Sequence, residues 1–214
     1  MKSVLITGGT VRLGRAITER LRAEGWRVIT SSHRADAGAD IVADLAEPMG
    51  PARLYAAALQ LLGGTPPDAL VNNAALFTGD DASIAAVNLE SPKKLTTLMA
   101  GRETGVGAVV NILDGTVLSH MPHASHASPS YLASKRELLE FTRSGAATFA
   151  ATLRVNAVAP GPVLAPTEVH EKAGETLLAR RPTPDDVAAA VAFLLDAEST
   201  TGTVVPVDAG QHLL

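Results

Sequence analysis

Tyr131 and Lys135 stand four residues apart in the stretch SPSYLASKRELLEF. If residues 130–150 form a helix, both side chains project from one face. A phenol with an ordinary pKa of about 10 gives or takes a proton poorly at neutral pH, and an ammonium held beside it stabilises the phenolate and lowers that pKa. The pair is therefore a candidate for proton transfer. A Tyr and a Lys on an amphipathic helix are also common surface decoration, so the weight of the pair depends on the rest of the chain.

A second set of residues lies in LITGGTVRLG, residues 5–14. Gly8, Gly9 and Gly14 let the backbone approach a pyrophosphate, whose charge is favoured by the N-terminus of the helix that starts near Leu13. Glycines at a strand end also serve simple tight bends. Arg12 stands where many such turns carry another glycine. After the second apolar run, where a dinucleotide fold selecting NAD places an acidic residue for the ribose 2′-hydroxyl, the chain reads Ser31-Ser32-His33-Arg34. Arg12 and Arg34, with His33 beside them, are expected to converge on that end of the cofactor. A guanidinium donates two charge-assisted hydrogen bonds to a phosphate, so the pair points to NADP(H); taken singly, each is as well read as a solvated surface arginine. Asp44 is placed to hydrogen-bond the adenine, with Leu45 packing near it, or else to cap the next turn.

The elements that position these residues follow from the pattern of the chain. Short β-rich runs at 3–7, 26–32, 40–45, 68–74, 106–113, 151–159 and 203–208 alternate with Ala/Leu-rich segments of helical period. Strands apolar throughout and separated by helices predict a parallel sheet covered on both faces, a doubly wound α/β fold. Between His33 and Ala39 there is no room for a full crossover helix. Thr183, Pro184 and Asp186 predict a capped helix start over 184–195. The net charge of −4 gives no basic footprint for nucleic acid, and the absence of cysteine excludes a disulfide framework. The N-terminus enters a strand at once, unlike a signal peptide, and no apolar run reaches the roughly 20 residues needed to span a bilayer. A cytoplasmic protein with a small-molecule substrate is expected.

TGGTVRLG, VNNAA, VNL, YLASK and PGPV, in that order, resemble the motifs of the short-chain dehydrogenase/reductase family over essentially the whole chain. The resemblance implies a Rossmann-like doubly wound parallel sheet of about seven strands, order 3-2-1-4-5-6-7, in a single domain over 1–214. It further implies Tyr131 as general acid/base, Lys135 holding the nicotinamide ribose, and Asn88 helping a proton relay through water. Asn73, Ala74, Pro160, Gly161 and Val163 match the cofactor side of the cleft. Asn72 and Asn111 match it too, with structural strand-end roles equally open.

Asp114 departs from the family's usual serine. An ionised carboxylate only accepts hydrogen bonds, whereas a hydroxyl can also donate to a substrate carbonyl. With the two arginines, Asp114 is similar to the pteridine reductase and dihydromonapterin reductase branch. Phe77, three residues beyond Ala74, matches an aromatic that in that branch stacks on the pterin; a core or lid phenylalanine is the other reading. Three functions stay open: NADPH-dependent reduction of a pterin-like substrate through Tyr131, Lys135, Asp114 and Phe77; reduction of a carbonyl substrate on the same fold; and a non-catalytic NADP(H)-sensing protein. His120, His123 and His126 lie in an insertion expected to edge the substrate cleft rather than bind a metal. After PGPV, Ala165 stands where the wider family often has a threonine touching the cofactor amide, and Thr167 is displaced by two. The family's habit implies a homotetramer or homodimer.

Overall fold

A computed structural model describes residues 1–119, 127–163 and 176–214. Seven parallel strands form one sheet: β1 (Ser3–Thr7), β2 (Arg27–Ser32), β3 (Ile41–Val42), β4 (Ala69–Asn72), β5 (Gly107–Ile112), β6 (Leu153–Pro160) and β7 (Val204–Val207). Their spatial order is β3-β2-β1-β4-β5-β6-β7. The order reverses between β1 and β4, so the connections that leave their carboxyl ends run to opposite faces of the sheet, and such a switch point is where these folds bind ligands. The described residues thus have the Rossmann-like arrangement that the family resemblance implies.

The helices are α1 (Arg12–Ala23), α2 (Gly50–Leu61), α3 (Asp81–Ala85), α4 (Ser91–Ala100), α5 (Pro129–Thr148) and α6 (Pro184–Asp196). Alternate residues of the central strands face opposite layers. Val4 and Ile6 pack with Ile17 and Leu21 of α1 and Val187, Val191 and Leu194 of α6. Leu5 packs the other way, with Leu54 of α2 and Leu95 and Met99 of α4. Each such side chain, removed from water, contributes about 1.5–3 kcal/mol, and this two-sided burial is why the strands read as apolar at every position. The start of α6 carries the capping box expected from TPDD: Thr183 accepts from Asp186 N, and the Asp186 carboxylate accepts from Thr183 N at 2.8 Å. No described helix is long and apolar enough to cross a membrane.

Most strand bounds shift by a residue or two from the reading of the sequence, and the end of the third strand by more. The crossover after β2 is a single 3-10 turn, Ala35–Ala37, as the short spacing requires. The third strand, expected over 40–45, keeps only Ile41–Val42. At its start the Asp40 carboxylate is taken by the Thr30 amide at 2.8 Å and hydroxyl at 2.7 Å. At its end Asp44 accepts from Ala46 N at 2.8 Å and turns the chain away. The fourth strand ends at Asn72 rather than 74, because Asn73 N and Ala74 N both donate to the Thr7 hydroxyl at 3.0 Å instead of extending the ladder.

Candidate active site

The glycine turn is built for close approach. A Cβ on Gly14 would lie 2.0 Å from the Gly8 carbonyl oxygen, and one on Gly9 would lie 2.8 Å from Thr30. Gly8 adopts φ 63°, a left-handed conformation that glycine enters without steric cost. Asn73 fastens the turn to the end of β4, its Nδ2 donating to the carbonyls of Thr7 and Gly8 at 2.9 and 3.0 Å. Thr18, buried on α1, donates to the Gly9 carbonyl at 2.8 Å. Helix α1 begins at this turn with no side-chain cap and no acidic residue in its first turn, so its amide dipoles favour an anion. This arrangement fits a dinucleotide pyrophosphate. Leu13 packs partly buried against the core, which orients the start of α1.

Arg12 solves its steric problem by paying for it: it takes φ 50°, the conformation for which a glycine would be the natural choice. It is exposed, as are His33 and Arg34 at the end of β2. Arg34 is held by Asp36, with Nε donating at 3.0 Å and the terminal nitrogen at 2.7 Å. Leu45, expected near the adenine, is buried in the core, and Asp44 spends one carboxylate oxygen on its own turn.

On the other side of the crevice, α5 carries Tyr131 and Lys135, both buried. Two features set this helix. Ser128 caps its N-terminus by accepting from Tyr131 N at 3.2 Å. A buried chain of side chains then staples it to the sheet: Asn72 Nδ2 donates to Asn111 at 2.8 Å, Asn111 Nδ2 to Thr142 at 2.9 Å, and Thr142 to the Leu138 carbonyl at 2.8 Å. These bonds tie Asn72 and Asn111 of adjacent strands to α5. With α5 so fixed, Lys135 Nζ donates to the Ile112 carbonyl at 2.7 Å and the Tyr131 hydroxyl donates to Asp114 at 3.1 Å.

Asp114 is itself oriented by Thr116, whose amide and hydroxyl donate to it at 2.9 and 2.6 Å. Burial pushes the Tyr131 phenol well above its ordinary range, and the Asp114 charge and hydrogen bond push it the same way. This reverses the expectation that Lys135 lowers the tyrosine: the ammonium sits 5.7 Å from the ring centroid with its charge directed at the Ile112 carbonyl, while the carboxylate touches the phenol. Lys135 is brought down to about 8 by burial, against the opposing pull of Asp114. The phenol is thus held protonated and the ammonium is poised near neutrality.

Phe77, on the loop after β4, lies with its ring centroid 4.4 Å from that of Tyr131, tilted by 45°, and is 48% exposed. Asn88 fixes this loop. Its side chain accepts from Leu76 N at 2.8 Å and donates to the Leu76 carbonyl at 2.9 Å and to Ser134 at 3.2 Å. It sits in a π-helical turn, Ala86–Glu90, between α3 and α4, the kind of local irregularity that often marks functional sites. Its side chain thus ties Leu76, the residue before Phe77, to Ser134 of α5.

Pro160 ends β6, Gly161 N donates to the Val207 carbonyl at 3.0 Å, and Val163 packs partly buried on the core. Beneath this loop lies the buried Asp208, which accepts from His212 N at 2.8 Å and pairs with its ring Nδ1 at 2.7 Å. A Cβ on Gly161 would meet Asp208 Cβ at 2.6 Å. His120, His123, His126, Ala165 and Thr167 lie outside the described residues. Thr18, Thr116, Ser134 and Asp208 were not singled out from the sequence. Only Thr116 carried a usable signal, its place two residues after Asp114 being that of an Asx turn.

Residues 62–212 match the family model described as enoyl-(acyl carrier protein) reductase. Among solved structures, the chain is similar to FolM alternative dihydrofolate reductase 1 from Brucella canis complexed with NADP. That match has a TM-score of 0.86 and 32% identity, over 100% of this chain and 95% of the other. A Streptomyces violaceoruber sequence named as ketoacyl reductase 2 of the granaticin polyketide synthase is 32% identical over 98% of this chain and 96% of its own length. Galactitol 2-dehydrogenase from Rhizobium johnstonii is 31% identical over 96% and 93%.

Proposed function

The chain belongs to the short-chain dehydrogenase/reductase family, an NADP(H)-dependent oxidoreductase by its relatives, and from that premise we propose that it reduces a pterin-like nitrogen heterocycle. The observation that carries this reading is the convergence of three groups: the half-exposed Phe77 ring 4.4 Å from the Tyr131 ring, and the Asp114 carboxylate 3.1 Å from the Tyr131 hydroxyl. A flat apolar face beside an acceptor-only group suits a planar ring that carries N–H donors. The similarity to a structure named as an alternative dihydrofolate reductase supports the same reading.

NADPH, when bound, would supply hydride chemistry toward the carbon of a C=N unit. The residues of the chain supply the rest. Gly8, Gly9, Gly14 and the N-terminus of α1 would hold the pyrophosphate, Arg12, His33 and Arg34 would meet the adenosine 2′-phosphate, and Asn73, Ala74, Pro160, Gly161 and Val163 would line the nicotinamide side. Tyr131 gives its hydroxyl proton to the substrate nitrogen, whose basicity rises as the carbon is reduced. The phenolate left behind regains a proton from solvent, with the buried Lys135 ammonium 5.7 Å from the ring centroid. Asp114 aligns the phenol and accepts an N–H of the substrate ring, while Phe77 covers the ring's face. Asn88 holds the loop on which Phe77 rides.

Tyr131→Phe removes the donated proton without changing the packing, and should lower kcat by about 10²–10⁴. Unchanged turnover in that variant would refute the assignment. A second reading, reduction of a carbonyl substrate, is favoured by the names of the ketoacyl reductase and galactitol dehydrogenase relatives. The two separate at Phe77→Leu, which should raise KM for a pterin and leave a small ketone unaffected.

A further inference from the structure

We propose that Asp36 is a built-in competitor for the cofactor's 2′-phosphate, holding the binding edge of Arg34 until the phosphate displaces it and so moderating the preference for NADP(H) over NAD(H). The inference rests on the reading of Arg34 as the group that meets that phosphate.

Arg34 uses one edge of its guanidinium on Asp36, Nε to one carboxylate oxygen at 3.0 Å and the terminal nitrogen to the other at 2.7 Å. This is the two-point fork by which a guanidinium also grips two phosphate oxygens, so carboxylate and phosphate contend for the same donors. The pairing raises Arg34 and lowers Asp36, each holding the other in its charged form. Both side chains are open to solvent, at 63% and 70% exposure, so an incoming anion reaches them without moving anything else.

The backbone keeps Asp36 close after displacement. The connection from β2 to β3 is one 3-10 turn rather than a helix, and it is pinned at both ends. Arg34 N donates to the Ser32 hydroxyl at 3.1 Å, Ala37 N to the Arg34 carbonyl at 3.3 Å, and the Asp40 carboxylate takes the Thr30 amide at 2.8 Å. Gly38, left-handed at φ 65°, closes the turn. Two residues from Arg34 on so short a tether, the Asp36 charge stays beside any phosphate that Arg34 takes. NAD(H) offers only a hydroxyl there, which a carboxylate accepts as a donor. Asp36 therefore opposes one cofactor and tolerates the other.

The test is calorimetric titration of the purified protein with NADP⁺, NAD⁺ and 2′,5′-ADP, which isolates the phosphate-bearing adenosine end. The variants are Asp36→Asn, Asp36→Ser, Arg34→Ala and the double Arg34→Ala/Asp36→Asn. Asp36→Asn should tighten NADP⁺ and 2′,5′-ADP by about two- to fivefold, the range of an exposed ion pair, and leave NAD⁺ unchanged. Asp36→Ser should do the same, and the gain should vanish in the double variant and shrink at high salt. If Arg34→Ala weakens NADP⁺ but Asp36→Asn fails to tighten it, or tightens NAD⁺ equally, the competition is refuted and Arg34 keeps its role. If Arg34→Ala leaves NADP⁺ unchanged, both assignments fall.

Discussion

The Tyr131 hydroxyl donates to the Asp114 carboxylate at 3.1 Å, so the phenol proton is held by an acceptor rather than shared with a second hydroxyl. Where the family's usual serine can donate to a substrate carbonyl, this chain has a group that can only receive. The pairing bears on both the substrate the site prefers and the pH range in which it works.

Asp114→Ser should shift preference toward simple ketones. A charge-assisted hydrogen bond contributes about 1.5–3 kcal/mol, so kcat/KM for a dihydropterin should fall by about 10- to 100-fold. Ketone reduction should hold or rise. Steady-state kinetics on the two substrate types check this, and equal losses on both would count against a role for Asp114 in substrate choice.

The pH profile should have its alkaline limb set by Lys135. Tyr131 is raised, so as the proton donor it stays protonated through neutral and mildly alkaline pH. Lys135 is lowered to about 8, so its ammonium is present below that pH and is lost above it. The site then loses the positive charge beside the phenol, and kcat/KM should decline above pH of about 8. Asp114 raises Lys135, so Asp114→Asn removes that support and should move the limb to lower pH. A limb that stays in place in this variant would dissociate it from Lys135.

Arg12→Gly should separate stability from cofactor recognition. Arg12 sits at φ 50°, a conformation costing a non-glycine residue about 1 kcal/mol or more. Relief of that strain should raise Tm by about 2–4 °C in a chain of this size. Binding of NADP⁺ should weaken relative to NAD⁺ in the same variant. Calorimetry reads both effects, and a variant with unaltered NADP⁺ affinity would make Arg12 a strained surface residue only.

Asn88→Ala should release the Phe77 loop. Two hydrogen bonds to the partly buried Leu76 backbone are lost, at about 0.5–1.5 kcal/mol each. KM for the heterocycle should rise more than kcat falls, because the site loses its cover before it loses its proton donor. A pure kcat loss with KM unchanged would instead favour the water relay implied by the family resemblance.

Much of this arrangement is legible in the chain. Residues such as Val4, Leu5 and Ile6 are apolar on both faces of one strand, which demands a sheet covered on both sides, and the short spacing from His33 to Ala39 leaves room only for the 3-10 turn that is present. The spacing of Tyr131 and Lys135 places them together because a helix repeats about every four residues. What sequence spacing does not encode is competition for a partner. Lys135 is near Tyr131, yet burial and Asp114 govern the phenol. Arg34 is where a phosphate reader belongs, yet Asp36 occupies it. Asn88 has its side chain taken by Leu76, a backbone twelve residues away. Each outcome depends on which of several nearby groups lies at hydrogen-bond distance, and that is decided by packing.

The most direct test of the central claim follows the loss of NADPH absorbance with purified protein and a panel of dihydrobiopterin, dihydromonapterin, dihydrofolate and simple ketones, repeated with NADH. Pterin-dependent oxidation of NADPH, slow with NADH and slow on ketones, is the predicted result. Rapid turnover of ketones with none on any pterin would contradict it, leaving the Tyr131 and Lys135 chemistry in place and the reading of Asp114 and Phe77 wrong.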